Sequence, residues 1–391
     1  MKVRLGDICE ILNGYAFKSS DYTKDGIRII RISNVQKGFI EDSSPVFYPK
    51  DNKYAQNYAL IENDLLISLT GNVGRVALIS RDLLPAALNQ RVACIRIKDK
   101  HTILTKYLFH LLNSDIFEHD CIISAQGIAQ KNMSTSWLQQ YEISIDPLET
   151  QSKRINVLDT LDSLISRRKR QLLKLDQLVK SRFMEMFGEW PANSKNWPTG
   201  QIKDIVIDVK YGSSRPSSRD GKYPYLRMNN ITYSGQLDLS DIKKITIPDN
   251  ELENCSARKG DVLFNRTNSR ELVGKTCVYN QEQPMVIAGF IIRVRLNETL
   301  MSPVFLSSFL NTDFSKHMLM HKCKSAIGQA NINAQEMKNI KLYIPPLPLQ
   351  QQFAAFVEKV DKSKFIVGAR LAGRFCRKIL TKLSLSEADY D

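Results

Sequence analysis

Apolar positions follow one spacing in the middle of the chain and another on either side. Over Pro147 to Gly188, Leu158, Leu161, Ile165, Arg168, Leu172, Leu175, Val179, Arg182 and Met186 step by three and four. Such steps keep side chains on one helical face and form the seam of a coiled coil, here interrupted by two arginines. No Gly or Pro occurs between Glu149 and Phe187, and Leu, Lys, Arg and Gln, which lose little rotamer freedom in a helix, dominate. One helix of about 38 residues is expected, roughly 57 Å long at 1.5 Å per residue, broken at Gly188. It is too long to sit inside a small domain, so it links parts, and its seam needs a partner helix.

On both sides the period shortens. Ile27 to Ile32, Asp64 to Leu69 and Arg91 to Ile97 are β-branched and apolar runs bounded by turn residues, the mark of strands. Thr105 to Asp120 and Pro303 to Lys322 have helical spacing, and Trp190 to Gly200, rich in Pro, Asn and Ser, reads as a connector.

These flanks are copies of one another. Leu5 to Ile8 recurs as Ile202 to Ile205, Arg31 to Val35 as Arg227 to Ile231, Asn63 to Leu66 as Gly260 to Leu263, and Ala93 to Ile97 near Phe290 to Val294, at offsets of 196 or 197. LLNSD (Leu111 to Asp115) matches FLNTD (Phe309 to Asp313), Ser124 to Met133 matches Ser325 to Ile332, and Ile143 to Gln151 matches Leu342 to Gln350. Carried forward by 199, the seam lands on Val357, Val360, Lys364, Val367 and Leu371, so a second helix starts near Leu349. The expected fold class is α+β: two mixed α/β domains in tandem pseudo-repeat, each followed by a long helix. The helices pair as an antiparallel coiled coil through Leu158, Leu161, Ile165, Leu172, Leu175, Val179, Val357, Val360, Val367 and Leu371. Arg168, Arg182, Lys364, Arg374, Gly368 and Gly373 depart from an ideal seam and weaken its far end.

A chain of 391 residues with 43% hydrophobic content can fill two or three cores. The start, Met1 to Ile11, has no apolar signal region, and no run of 18 uncharged apolar residues occurs, so a cytoplasmic protein without a membrane span is expected. Seven scattered cysteines without a CxxC pair point to reduced thiols. A formal net charge of +14 suits a polyanionic partner, most often nucleic acid.

No catalytic constellation emerges. Gly274-Lys275-Thr276 resembles the end of a phosphate loop, but Ser269 replaces its first glycine. His317 and His321 are four apart, yet Met318 stands where a zinc-site helix carries glutamate. Ile344 to Leu347 lacks the polar head and aromatic of a base-flipping tetrapeptide, and Glu336-Met337-Lys338 lacks an upstream acidic partner for a nuclease. Metal ligands and catalytic residues are therefore not assigned.

Polar and basic residues instead recur at loop positions in both halves. Arg31, Ser33 and Asn34 correspond to Arg227, Asn229 and Asn230; Thr70, Asn72 and Arg75 to Arg266, Thr267, Asn268 and Arg270; Gln126, Gln130 and Lys131 to Gln329 and Asn331. Arg, Asn and Gln can bond base edges with two hydrogen bonds, while Ser, Thr and Lys suit phosphates. These residues are the candidate contacts to double-stranded DNA. Arg167 to Arg170 is the densest basic run, but on a helix its side chains point to all sides.

With its two like domains, each closed by a segment such as DPLETQSKRINVLDTLDSLISRRKRQLLKLDQL or IPPLPLQQQFAAFVEKVDKSK, the chain resembles the specificity subunits of type I restriction-modification systems. The resemblance implies target-recognition domains at 1–146 and, after a connector, 189–344. The spacer helices would fall at 147–188 and, with the tail, 345–391. It implies a non-catalytic subunit of a DNA adenine methyltransferase and site-specific endonuclease complex, reading a bipartite site with one domain per half and the paired helices as a ruler. Two methyltransferase and two restriction subunits would dock, carrying S-adenosylmethionine, ATP and Mg that this chain does not bind. The rival readings are a self-contained restriction or modification enzyme and a coiled-coil adaptor with no nucleic acid role.

Overall fold

The computed structural model describes residues 1–125, 132–326 and 329–372. The described chain divides into two compact units, residues 1–165 and 166–372, the division falling within the central helix Leu148–Phe187.

In the first unit a four-stranded antiparallel sheet runs in the order Cys9–Asn13, Val92–Ile97, Leu65–Ser68, Val76–Leu78. Cys94 is opposite Leu12 on one side and Leu66 on the other. A smaller sheet places Ile27–Ile30 between Phe47–Tyr48 and Ala86–Leu88, the latter pair parallel. Leu65, Ile67, Ala93 and Ile95 face one core with Tyr107, Leu108 and Phe117, while Leu66, Val92 and Cys94 face another with Ile30 and Leu88. Burial on both faces explains why these runs read as continuously apolar. Strand Lys2–Arg4 pairs with Glu142–Ser144, so the start of the unit is tied to the residues that lead into the central helix.

The second unit repeats this plan. Its sheet order is Val206–Tyr211, Ile291–Leu296, Val262–Asn265, Thr276–Val278, and Thr199–Gln201 pairs with Lys341–Tyr343 ahead of the C-terminal helix Leu347–Ala372. The expected mixed α/β tandem is thus observed. Two features differ from expectation. Strand Val92–Ile97 corresponds to Ile291–Leu296, an offset of 199, so Ala93 to Ile97 matches Ile292 to Leu296 and not Phe290 to Val294. Thr105 to Asp120 forms two helices, Thr105–Leu112 and Asp115–Ser124, and Pro303 to Lys322 likewise forms Pro303–Leu310 and Asp313–Lys322. The repeated Asn-Ser/Thr-Asp motif makes the break. Ser114 Oγ accepts from Phe117 N and Thr312 Oγ1 from Ser315 N, both at 3.2 Å, capping the second helix of each pair.

The repeated glutamine after Pro-Leu also has a structural explanation. Gln151 and Gln350 are fully buried. Gln151 Oε1 accepts from Leu104 N at 2.9 Å, and its Nε2 donates to the carbonyls of Thr102 and Asp146 at 3.1 and 2.8 Å. Gln350 does the same with Ser302 N, Leu300 O and Pro345 O at 2.9, 3.2 and 2.7 Å. Each glutamine ties the first turns of a long helix to its unit. Charge is placed in duplicate too: Arg96 pairs with buried Asp64 at 2.6 Å, and Arg295 with buried Asp261 at 3.0 Å.

Along the central helix, Ile155 and Leu161 are buried and Leu158, Ile165, Leu172, Leu175 and Val179 half-buried, most residues between them being exposed. Within the second unit its last turns run antiparallel to the C-terminal helix. Phe187 and Phe183 meet Phe353 at 5.5 and 5.4 Å between ring centroids, Arg182 lies 5.9 Å over the Phe356 ring, and Asp176 ion-pairs with Lys364 at 2.7 Å. Val179 and Val357 pack on the same cluster, Val360 is buried and Val367 half-buried, while Leu371 lies in the last turn. Phe183, Phe187, Phe305 and Phe353 are each under 3% exposed, and burying each is worth about 2 kcal/mol. Connector residues Trp190 and Trp197 pack on this cluster as well.

Candidate nucleic-acid interface

The first candidate set sits on a tight turn, Ile32–Asn34 in one unit and Met228–Asn230 in the other. Asn34 is buried; its Oδ1 accepts from Arg31 N at 2.9 Å and its Nδ2 donates to Glu41 O at 2.7 Å. Asn230 repeats this with Arg227 N at 2.8 Å and the carbonyls of Asp238 and Asp241 at 2.8 and 3.1 Å. Both amides are engaged at both ends, so they shape the turn that presents Ser33 and Asn229, which are exposed. Arg31 Nη2 donates to Ser44 O at 2.9 Å, and Arg227 Nη2 meets Asp241 Oδ2 at 2.6 Å. That arginine holds the Asp241 carboxyl below the usual carboxylate range.

The second set lies on the hairpin after Leu65–Ser68 and after Val262–Asn265. Ser68 Oγ donates to Asn72 O at 2.5 Å and accepts from Arg75 N at 3.1 Å, closing the loop. Gly74 then turns the chain at φ +81°, where an added Cβ would come within 2.7 Å of Cys121; Gly274 does the same at φ +82° against Leu319. This is the turn behind the apparent phosphate loop: Lys275 donates from Nζ to Met228 O at 2.9 Å, and burial lowers its pKa.

Sets one and two converge in the first unit. Ser33, Thr70, Asn72 and Arg75 line one cleft of about 230 Å³ together with Ile32, Gln36 and Arg91. Arg75 donates from Nη1 to Gln36 Oε1. Thr70 Oγ1 is buried and has no partner among the described residues. In the second unit Arg266 lies over the Tyr211 ring at 4.9 Å, Asn268 Nδ2 donates to Asn265 Oδ1 at 3.2 Å, and exposed Arg270 donates from Nε to Met320 O at 3.2 Å.

The third set joins the second through the backbone. Thr267 pairs with Asn331, and Ile332 N donates to Arg266 O at 2.9 Å; correspondingly Thr70 bridges Asn132, and Met133 N donates to Leu69 O at 2.9 Å. Gln329 is on the strand Gln329–Asn331, and Asn331 is exposed. Gln126, Gln130 and Lys131 lie outside the described residues. Loop segments more than 60 residues apart in sequence are therefore drawn to one side of each unit by strand pairing.

Gln36, Arg91 and Tyr211 belong to these clusters, but none recurs in the other half, so recurrence does not reveal them. Gln36 is matched by Thr232 in the repeat, and strand pairing puts Phe290 in the place of Arg91, since Leu69 N donates to Arg91 O as Arg266 N donates to Phe290 O. The lining of the cleft could have been found by asking where the copies differ. Elsewhere, His317 and His321 are exposed on Asp313–Lys322, and Glu336 accepts from Asn333 N at 2.9 Å in a capping box. Among the described residues no group of three His, Cys, Asp or Glu side chains gathers as for a metal ion.

Two α/β units of one design, each presenting a polar and basic loop cluster, define a class of tandem-domain DNA-recognition proteins. Residues 1–175 and 194–370 each match the type I restriction modification DNA specificity domain, and the chain belongs to that family. The EcoKI specificity subunit of Escherichia coli K12 is 23% identical over 375 residues, spanning 90% of this chain and 80% of the relative. The EcoBI specificity subunit of Escherichia coli is 23% identical over 393 residues, spanning 92% and 79%. The crystal structure of a type I restriction-modification S subunit from M. genitalium superposes with a TM-score of 0.54 at 15% identity, covering 95% of this chain and 92% of that one, a likeness of fold.

Proposed function

We propose that this chain is the non-catalytic specificity subunit of a type I restriction-modification complex and reads a bipartite DNA site, one domain per half. The observation that carries the reading is the duplication of the loop cluster: each unit brings together, by the same strand pairings, residues with the hydrogen-bonding capacity for base edges and phosphates. A formal charge of +14 supports a polyanionic ligand.

Two like units on one chain offer two like docking faces, which suits two methyltransferase subunits and, in the full complex, two restriction subunits. Leu173 and Leu178 on the central helix and Phe365 and Ile366 on the C-terminal helix are 47–77% exposed, apolar side chains available to such partners. S-adenosylmethionine, ATP and Mg would reside on those partners, in the cytoplasm. Sequencing methylated bases in a host with this chain present and deleted tests the proposal. Loss of methylation at one two-part motif is expected; an unchanged methylome alongside an active methyltransferase partner would refute it.

A further inference from the structure

The two units share a frame but not a surface. In the first, the Tyr15 ring lies 4.6 Å from that of Tyr54, within 10° of parallel, and 5.4 Å from that of Tyr58. Tyr54, on the short helix Lys53–Asn57, is 54% exposed, so the outer face of the stack is open. Lys50 and Lys53 beside it are exposed and have no carboxylate partner among the described residues.

This surface adjoins the cleft. Tyr15 bridges Asn89, and Gln90 N donates to Tyr15 O at 2.9 Å; the next residue, Arg91, lines the cleft with Ser33, Thr70 and Arg75. Gly14 allows the approach, because a Cβ there would come within 2.2 Å of Asn89 O.

The second unit keeps the frame and inverts the chemistry. Gly212 makes the same close approach, and the bridge from Ser213 to Ala288 stands where Tyr15 meets Asn89. Ala59 is opposite Ala87 as Ser256 is opposite Val286, which sets Glu251 in the place of Tyr54 and Cys255 in that of Tyr58. The helix there, Asp249–Cys255, carries three acids, and Lys222, Arg215 and Arg258 pair with Asp249, Glu251 and Glu253 at 2.9, 2.8 and 3.2 Å. Free cations and an open aromatic ring in one unit are replaced by neutralised acids in the other.

We propose that Lys50, Lys53 and Tyr54 form a contact to the DNA phosphodiester backbone that the first unit makes and the second lacks. The inference rests on the DNA-reading function above and adds an asymmetry to it. Two ammonium groups and a phenol donate to phosphate oxygens, and the Tyr54 ring, backed by Tyr15, packs against deoxyribose. Bases paired within a duplex offer no face for the ring to stack on. Contacts of this kind strengthen binding without selecting sequence. The first half-site is therefore gripped over a longer stretch than the second.

The test uses the full chain assembled with its methyltransferase subunits and a duplex carrying the motif that the complex methylates. Binding is followed as salt is raised, with phosphate-ethylation interference alongside. Removing two phosphate contacts with Lys50→Gln/Lys53→Gln flattens the slope of log K against log salt by about 1.8, leaves the methylated motif unchanged, and abolishes interference at phosphates beside the first half-site alone. Tyr54→Ala weakens binding without altering the motif. A wild-type slope in the lysine variant would overturn the proposal. So would a loss of subunit assembly with the slope intact, since the surface would then be a protein contact. If the wild-type complex protected no two-part site, the underlying reading would fail, and this contact with it.

Discussion

Lys364 Nζ lies 2.7 Å from Asp176 Oδ1, and this pair joins the C-terminal helix to the central one. The lysine side chain is only 13% exposed, so a cation in an apolar seam is matched by a carboxylate of the opposite helix. Arg182 is accommodated by another route, ion-pairing with Glu185 at 2.8 Å and lying over Phe356. Asp176→Ala leaves a nearly buried ammonium with one remaining partner, Asp361 at 3.2 Å. It is expected to cost about 2 kcal/mol, read as a lower Tm of the second unit, and Asp176→Leu/Lys364→Leu should regain most of it.

The two buried glutamines give a paired experiment. Gln151→Leu strands one N–H and two carbonyls inside the first unit, and Gln350→Leu strands their counterparts in the second, at about 3 kcal/mol each. Calorimetry is expected to show each variant lowering a different unfolding transition. Both variants lowering both transitions equally would mean that the repeats unfold as one cooperative body.

Burial pushes the thiols of Cys9, Cys121 and Cys277 up to about 12. Since the thiolate is the reactive form, at pH 8 these residues stay protonated as well as covered. Iodoacetamide labelling read by mass spectrometry should leave all three unmodified in the native chain and label them once urea unfolds it. Rapid native labelling of Cys277, which is fully buried, would contradict the packing described.

How much could be read in advance follows from which forces are local. The central helix was legible to within about one residue, because helix-forming residues run unbroken from Glu149 and Gly188 ends them at φ +79°. Strands Ile27–Ile30, Leu65–Ser68 and Val92–Ile97 were legible from their apolar runs. The break at Asn113-Ser114 was not, since helical spacing continues across it and only a side-chain cap reveals it. The interface was legible as segments and illegible as a site. That Ser33 and Thr70 share a cleft depends on sheet pairing between distant strands, and requiring recurrence favoured framework residues such as Asn34 and Asn230 over Gln36 and Arg91.

The central claim, one domain per half-site, is tested most directly by exchanging residues 1–146 for the corresponding domain of a family member with a known site and sequencing the methylated motif. One half of the motif is expected to become the donor's, with the other half retained. A hybrid that still assembles and methylates, but whose motif changes in both halves or in neither, would contradict the account.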